Sequence, residues 1–276
     1  MKKVLGLVIS HRKNGNSELL LKEIMTSIPE ECSLEMIRLT DLRLRPCTAC
    51  YKCLQPDTRC PLDDDFNFVL DNIRSADALI IGVPVYLLGP HGYYKMLSDR
   101  LVGLTNYIAD TQGKPCALVI PYGTEGWVGY SKAAAIIMPR LLMMKVVDCW
   151  PVHATLPGES LLSPGNVEYA CELGRRLFSG AEHQPGAREC QKCGSDLFRL
   201  LEDGMMECPI CGARTILQNG NISDFTGNEY FRFSDRAMEE HFQDWLLEMK
   251  GRFAGKKAQL KELHKEYRDK NCWISP

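Results

Sequence analysis

The chain has 276 residues, a formal net charge of −2 and 25% charged residues, a length that allows about two domains and a charge that argues against a protein coated by nucleic acid. No run of about 18 apolar residues is present to span a bilayer, and the apolar stretch from Val4 to Ile9 is too short for a signal peptide and lacks a cleavage site. Thirteen cysteines, most of them at metal-binding spacing, favour a reducing compartment, so we expect a cytoplasmic protein.

Up to about residue 180, short apolar runs alternate with helical patterns. The predicted strands are 4–10, 34–39, 78–83, 116–120 and 146–150. The predicted helices are 16–28, 63–73 with Asp63 as cap, 131–143 with a break at Pro139, and 167–178. Parallel strands need crossover connections, so this alternation predicts an α/β fold with a doubly wound, five-stranded parallel sheet.

The rest of the chain differs in composition. Residues 181–189 are rich in glycine, proline and polar residues and are predicted to be a linker after a domain at 1–180. A four-cysteine module is expected at 190–220 and C-terminal helices at 235–270, with apolar stripes that need a partner surface. The basic stretch at 250–270 is interpreted as a solvated helix face rather than a nucleic-acid contact.

Four cysteines occupy only fourteen residues: Cys47, Cys50, Cys53 and Cys60 follow the pattern C-x2-C-x2-C-x6-C. Iron-sulfur clusters take thiolates from such compact loops, whereas structural zinc usually takes two separate C-x2-C pairs. The spacing favours a cluster over zinc or over a loop without metal.

A second set, Cys190, Cys193, Cys208 and Cys211, has the pattern C-x2-C-x14-C-x2-C on a predicted hairpin. Each pair is followed by a glycine, Gly194 or Gly212, that lets backbone amides turn toward the sulfurs. This pattern favours a structural zinc ribbon. A single iron, as in rubredoxin, is the alternative, because ligand softness and geometry do not separate the two metals.

The first predicted strand runs into polar residues before a helix begins. Ser10, Arg12, Asn16 and Ser17 surround a helix N-terminus, where free amides and the helix dipole favour a phosphate. The forked donors of Arg12 are suited to clamp it. The alternative is an ordinary turn in which Asn16 or Ser17 caps the helix. No G-x-G-x-x-G follows a strand, so an NAD-binding Rossmann unit is not indicated.

Several motifs occur together in a recognisable order. They are Ser10-x-Arg12-x-x-Gly15-Asn16-Ser17, the cysteine loop followed by Asp63-Asp64, Gly82-Val83-Pro84-Val85-Tyr86 with Gly89, and Lys95 before Asp99-Arg100. With these motifs, residues 1–180 resemble the NADPH-dependent FMN reductase family and, within it, the iron-sulfur flavoproteins. The resemblance implies a flavodoxin-like fold with FMN at the carboxyl ends of the strands.

The resemblance also implies positions for FMN. Ser10, Arg12, Asn16 and Ser17 would hold the phosphate. The residues along the isoalloxazine ring would be Pro84, Val85, Tyr86, Leu87 and Gly89. Gly123 and Thr124, after the fourth strand, are further candidates, although their loop departs from the glycine pairs expected of the family. Lys95, Asp99 and Arg100 match the family pattern, but an ion pair on a helix is more often structural.

For the cysteine loop, the resemblance implies a [4Fe–4S] cluster on Cys47, Cys50, Cys53 and Cys60, near the flavin of a neighbouring subunit. The cluster would exchange electrons with a carrier such as ferredoxin. A homo-oligomer, either dimer or tetramer, is expected because both sites would be exposed on a monomer.

We considered three functions. The favoured one is an FMN-dependent iron-sulfur oxidoreductase that relays electrons between a carrier, the cluster and FMN to a small-molecule acceptor, with no catalytic side chain required. The second is an NAD(P)H-dependent FMN or quinone reductase without a cluster. The third is a zinc-ribbon interaction module on a flavodoxin-like scaffold, but Arg12, Asn16, Ser17 and Tyr86 together argue against an empty scaffold.

Overall fold

The computed structural model describes residues 1–218, 221–222, 231–268 and 274. The chain forms two compact units, Met1–Phe233 and Ser234–Pro276, which we describe separately. The predicted ends of the four-cysteine module at 220 and of the C-terminal helices at 270 lie outside the described residues.

The first unit is built on a five-stranded parallel sheet, as predicted. Its strands are β1 Lys2–Val8, β2 Cys32–Arg38, β3 Ala78–Gly82, β4 Pro115–Tyr122 and β5 Lys145–His153. Their order is β2-β1-β3-β4-β5, and all neighbours are parallel. The chain direction across the sheet reverses between β1 and β3, so a crevice opens there at the carboxyl edge, where flavodoxin-like proteins bind ligands.

Helices cover both faces of this sheet, which explains why its inner strands are almost uniformly apolar. The helices are α1 Asn16–Thr26, α2 Phe66–Ser75, α3 Gly92–Ser98, α4 Ser131–Ala135, α5 Ile137–Leu141 and α6 Pro164–Arg176. In α2, Phe66, Val69, Leu70 and Ile73 are buried with the predicted helical spacing. On the other side of the sheet, apolar residues of α1 and α6 share one core with β1, β3, β4 and β5.

One predicted helix cap is wrong. The N-cap of α2 is Asp65, not Asp63, and its carboxylate accepts the Arg43 amide at 2.7 Å, which closes the base of the cysteine loop. The N-cap of α1 is Gly15, which has no side chain to cap the helix, so the alternative of a turn capped by Asn16 or Ser17 does not hold.

The predicted break at Pro139 occurs earlier, at Ile136, between α4 and α5. Proline has no N–H to donate to the carbonyl four residues before it, so the effect of Pro139 falls on Ala135. The buried Tyr94 hydroxyl donates a hydrogen bond to that Ala135 carbonyl instead.

The four-cysteine module belongs to the same compact unit as the large sheet. It contains a small antiparallel sheet of β6 Arg199–Leu200, β7 Met206–Glu207 and β8 Arg214–Thr215, in the order β8-β7-β6. A further strand pair joins Leu217–Gln218 to Asn221–Ile222.

The second unit is helical, as expected. Helix α7, Asp235–Glu239, continues through a π-helical stretch, Glu240–Trp245, into α8, Leu246–Arg268. The hydroxyl of Ser234 caps α7 by accepting the Ala237 amide at 3.2 Å. In the part of the chain that the structure describes, no helix is both long and apolar enough to cross a membrane.

Candidate flavin and metal sites

The loop between β1 and α1 has the properties of a phosphate site. Ser10 and Ser17 are buried, Arg12 is exposed, and the Ser10 hydroxyl accepts the Arg12 amide at 3.2 Å. Because no side chain caps α1 at Gly15, the first-turn amides retain the unpaired donors that a helix start normally offers to an anion.

The side chain of Asn16 has a different role from the predicted one. Its Nδ2 donates to the carbonyls of Ala154 (3.1 Å) and Leu156 (3.0 Å), and its Oδ1 accepts from the amide (3.2 Å) and hydroxyl (3.1 Å) of Ser160. A carboxamide has two N–H donors and two lone pairs, so this side chain is saturated. What Asn16 retains for a phosphate is its backbone amide.

Arg38 and Glu18 support the loop, and sequence reasoning missed both. At the end of β2, Arg38 donates from Nη1 to the carbonyls of Ser10 (2.8 Å) and Arg12 (3.1 Å), and from Nη2 to Glu18 (2.5 Å). The register of the parallel strands indicates the role of Arg38, because it places Arg38 opposite Val8, the last residue of β1 before the loop.

Glu18 is held as a carboxylate. Burial alone would raise its pKa, but hydrogen bonds from Lys22, Arg38 and the Asn14 amide outweigh burial and lower the pKa to about 2. Glu18 therefore stays ionised at physiological pH, and its pair with Arg38 fixes the loop that would face the phosphate.

After β3, a two-residue hairpin turn projects from the same edge of the sheet. Tyr86 pairs with Gly89, and Leu87 and Leu88 form the turn with φ values of 48° and 68°. Turns with two positive φ angles usually use Asn-Gly. Leucine in this conformation costs about 1–2 kcal/mol per residue, and the Leu87 side chain is 92% exposed. Strain of this kind tends to mark ligand sites.

The loop after β4 packs directly against this hairpin. The Tyr130 amide donates to the Leu88 carbonyl at 2.9 Å, and a Cβ at Gly129 would clash with that carbonyl. A Cβ at Gly89 would likewise clash with the Tyr130 ring. Glycine at both positions therefore lets the two loops touch.

Aromatic side chains cover this corner of the sheet. Tyr86, Trp127 and Tyr130 are about half exposed. Gly123 and Thr124 lie in the same loop, where the Gly123 carbonyl accepts the Thr155 hydroxyl and the Thr124 carbonyl accepts the Trp127 amide. Pro84 and Val85 lead into the hairpin, so the ring candidates from both loops are brought to one edge of the sheet.

Two histidines, also missed by sequence reasoning, join the phosphate loop to the hairpin. The ring of His91 is 4.6 Å from that of Tyr86 and 5.6 Å from that of His11, measured between centroids. The Nδ1 atom of His91 accepts the Tyr93 amide at 3.2 Å and caps α3. Burial, with a smaller effect of His11, lowers the pKa of His91 and so favours the neutral ring.

The loop between β2 and α2 places its four cysteines around one cavity of about 80 Å³, which Ala49, Leu62 and Val102 also line. Left-handed φ angles at Ala49 (51°) and Tyr51 (55°) turn the chain between successive cysteines. The loop leaves the carboxyl end of β2, which neighbours β1, so it shares a sheet edge with the flavin candidates.

Neighbouring elements fix this loop. Asn106 donates to the Cys53 carbonyl at 2.8 Å, and Asn67 donates to the Cys60 carbonyl at 2.9 Å. A Cβ at Gly103 would lie 2.7 Å from the Cys53 carbonyl oxygen, so glycine is needed there.

The donor set fits an iron-sulfur cluster. Four thiols line one partly apolar cavity, and each thiolate of such a cluster binds a different iron, so the sulfurs need not converge on one point. A hydrogen bond from the Lys52 amide lowers the pKa of Cys50, whereas burial and the neighbouring cysteines raise the pKa of Cys53.

The other four cysteines are arranged for a single ion. The sulfurs of Cys190, Cys193, Cys208 and Cys211 are buried and lie within 4.8 Å of one another, the one such convergence of His, Cys, Asp or Glu in the described ranges. The two turns are equivalent: the amides of Gly194 and Gly212 each donate at 2.8 Å to the carbonyl of the first cysteine of their pair. Both glycines have φ of 82°, as their predicted role requires.

The segment before the module is tied to the large sheet. The His183 amide donates to the Val146 carbonyl at 2.8 Å, and its ring nitrogens lie 3.3 Å from Asp148 and 2.8 Å from Glu189. Glu189 also forms an ion pair with Lys132, near the start of α4. The hydrogen bond to Asp148, helped by that to Glu189 and opposed by burial, raises the pKa of His183.

Two iron-sulfur flavoproteins are among the relatives of this chain. That of Methanocaldococcus jannaschii is 40% identical over 99 residues, which cover 36% of this chain and 51% of the relative. That of Archaeoglobus fulgidus is 33% identical over 96 residues, covering 34% and 47%. The chain thus spans about half the length of these relatives, and the matches confirm the predicted resemblance.

Two longer matches concern flavone chemistry by name. A flavone synthase of Aspergillus candidus is 26% identical over 220 residues, covering 67% of this chain and 68% of that protein. A solved flavone reductase covers 99% of both chains with a TM-score of 0.79, but at 22% identity this likeness shows the fold alone.

The family profile described as NADPH-dependent FMN reductase matches residues 2–155, more than half of the chain. The match contains the phosphate loop, the cysteine loop and the strained hairpin, and it ends just after β5. The chain belongs to the NADPH-dependent FMN reductase family.

Proposed function

We propose that this protein is an FMN-dependent oxidoreductase that exchanges electrons with a carrier through an iron-sulfur cluster on Cys47, Cys50, Cys53 and Cys60. The observation that carries the proposal is the shared sheet edge: the phosphate loop, the aromatic hairpin and the cysteine loop follow β1, β3 and β2, which are adjacent strands. FMN, when bound, supplies both one-electron and two-electron chemistry.

Within this proposal, the chain binds and orients the flavin. Ser10, Arg12, Ser17 and the first amides of α1 hold the phosphate, while Arg38 keeps the loop in shape from behind. The hairpin residues and the loop at Gly123 and Thr124 would flank the flavin ring. The half-exposed Tyr86, Trp127 and Tyr130 would exclude water from one side of it.

The cysteine loop provides the entry point for electrons. Cys47 and Cys50 are exposed, so a carrier protein such as ferredoxin has access to this side of the loop. Cys53 and Cys60 lie deeper, toward the body of the domain. We assign the role of the second four-cysteine site to structure, with zinc as the expected ion, because all four of its sulfurs are buried.

The acceptor we propose is a planar aromatic molecule. The exposed Tyr86, Leu87 and Trp127 offer apolar surface beside the ring candidates, and a relative that matches 67% of the chain carries flavone in its name. The family description favours a second candidate function, direct reduction of the flavin by NADPH without a cluster.

The test is an anaerobic purification in which FMN, iron, acid-labile sulfide and zinc are counted per chain. About one FMN with four irons and four sulfides is expected. FMN with zinc but no sulfide, together with rapid NADPH oxidation, would replace the cluster proposal with the direct reductase. Absence of FMN from protein reconstituted with it would overturn both.

A further inference from the structure

A buried arginine contacts the cysteine loop. Arg100, between α3 and the stretch that holds Gly103 and Asn106, is 3% exposed and lines the cavity of the four cysteines. Its Nη2 donates to the sulfur of Cys60 at 3.0 Å. Its guanidinium also lies over the Phe66 ring, 4.2 Å from the ring centroid.

The other arm of the guanidinium is bound to a carboxylate. Nη1 donates to Asp64 and to the Arg45 carbonyl at 3.2 Å. The side chain of Asp64 is fully buried, and its Oδ2 also accepts the Arg45 amide at 2.7 Å. The planar fork of arginine therefore serves a carboxylate and a sulfur at once, which lysine cannot do with the same geometry.

This arrangement has an electrostatic consequence for whatever the sulfurs hold. A cluster that gains one electron gains one negative charge, and N–H donors to its thiolates favour that more negative state. A cation held in low dielectric beside the sulfur acts in the same direction, and the Asp64 carboxylate acts against it.

We propose that Arg100 raises the reduction potential of the cluster on Cys47, Cys50, Cys53 and Cys60, and that Asp64 limits this effect. The inference rests on the proposed cluster. Arg100 would then tune the cluster potential and position the loop. The sequence alone suggested only a structural ion pair for this arginine.

The experiment is a redox titration of anaerobic protein, followed by the EPR signal of the reduced cluster. Arg100→Gln removes the cation and is expected to disfavour reduction about tenfold, which lowers a one-electron potential by about 59 mV. Asp64→Asn removes the opposing charge and is expected to raise the potential. Arg100→Lys, which keeps the charge but not the fork, is expected to fall between wild type and Arg100→Gln.

The matched control is Arg175→Gln. Arg175, on α6, is also an ion-paired arginine, 3.7 Å from Glu172, but it is exposed and lines neither cavity that borders the four cysteines. The cluster of this control variant should have the same reduction potential as that of the wild type. Equal potentials in all variants, or shifts of the same sign in Arg100→Gln and Asp64→Asn, would overturn the role of Arg100.

Iron and sulfide are counted in every sample first, so that two failures stay distinct. Wild-type protein without sulfide refutes the cluster itself, and the inference with it. If Arg100→Gln loses the cluster, the hydrogen bond from Arg100 to Cys60 is tested instead by pulsed EPR on wild-type protein grown with guanidino-¹⁵N arginine. A nitrogen coupling to the reduced cluster supports the hydrogen bond, and no coupling refutes it.

Discussion

At the scale of single residues, the flavin loop depends on a side chain that would not touch the flavin. Arg38 binds two carbonyls of the loop and pairs with Glu18. We predict that Arg38→Gln weakens FMN binding by about tenfold to a hundredfold, because each hydrogen bond to a charged group contributes about 1.5–3 kcal/mol. Fluorescence titration of the apoprotein with FMN measures this change.

The control for Arg38 is Lys22→Met. Lys22 also pairs with Glu18, at 2.7 Å, but it lies in the second turn of α1 and is half exposed. FMN affinity should stay close to that of the wild type. A comparable loss in both variants would mean that Glu18, and not the geometry of the loop, determines affinity.

Residue chemistry was predictable from the sequence where the motif itself dictates geometry. The two glycines after the Cys190 and Cys208 pairs have the conformation that their role demands. The role of Asn16 was not predictable, because its four hydrogen bonds reach three residues about 140 positions away, Ala154, Leu156 and Ser160. Arg38, Glu18 and His91 were missed for the same reason: their roles arise from neighbours in space.

At the scale of elements, the hairpin after β3 stores backbone strain in its turn. Leu87→Asn replaces leucine by a residue that tolerates a left-handed conformation, and the exposed side chain gives up little packing. We predict a gain of about 1 kcal/mol and a melting temperature of the apoprotein about 2–4 °C higher. Differential scanning calorimetry checks the change.

Leu162→Asn is the control for this strain. Leu162 is 82% exposed, but its φ angle is not positive. Its replacement should leave the melting temperature unchanged. Equal shifts in the two variants would mean that the gain comes from replacing an exposed leucine by a polar residue and not from relief of strain in the turn.

Helix α8 has an apolar seam of its own. Leu246, Met249, Phe253, Leu260 and Leu263 follow the alternating three- and four-residue spacing of a heptad repeat, with Lys256 at one position. Phe253 is 57% and Leu263 47% exposed. We predict that α8 associates with a second copy of the chain and that Leu263→Glu lowers the molar mass in solution.

Analytical ultracentrifugation at matched concentrations tests this association. Lys261→Glu, a change outside the seam on the same helix, serves as the control and should leave the mass unchanged. A wild-type monomer, or equal masses for all three proteins, would contradict the role of the seam.

At the scale of the whole molecule, the five-stranded parallel sheet follows from the alternation of apolar runs and helices, and it was predicted correctly. Helix limits were less predictable. The break near Pro139 falls at Ile136, because a proline affects the carbonyl four residues earlier. The composition of residues 181–189 predicts a linker, yet His183 and Glu189 bind this segment to β5 and α4.

This attachment makes stability depend on pH. The raised pKa of His183 means that protonation favours the folded state, so its contribution is complete below about 6.5 and is lost as pH rises through the folded pKa. Around it, hydrogen bonds and neighbouring charges lower the pKa values of Asp148 and Glu189 despite their burial, so the contributions of these two carboxylates disappear only in acid.

We therefore predict that the melting temperature of the wild type falls between about pH 6 and 9 more steeply than that of His183→Gln. The variant should be less stable at pH 6 and should approach the wild type at pH 9. His264→Gln, on the exposed face of α8, is the control and should follow the wild-type profile. Parallel profiles for the wild type and His183→Gln would rule out the histidine as the source.

The four hydrogen bonds of Asn16 also determine when, during synthesis, the chain becomes able to bind flavin. They connect the start of α1 to residues 138 to 144 positions later in the chain. During synthesis, the first loop is among the first segments to leave the ribosome, but it acquires its final shape only after Ser160 has emerged and β5 has joined the sheet. Nascent chains that end before this point should not retain flavin, so cofactor capture is a late event in the life of the polypeptide.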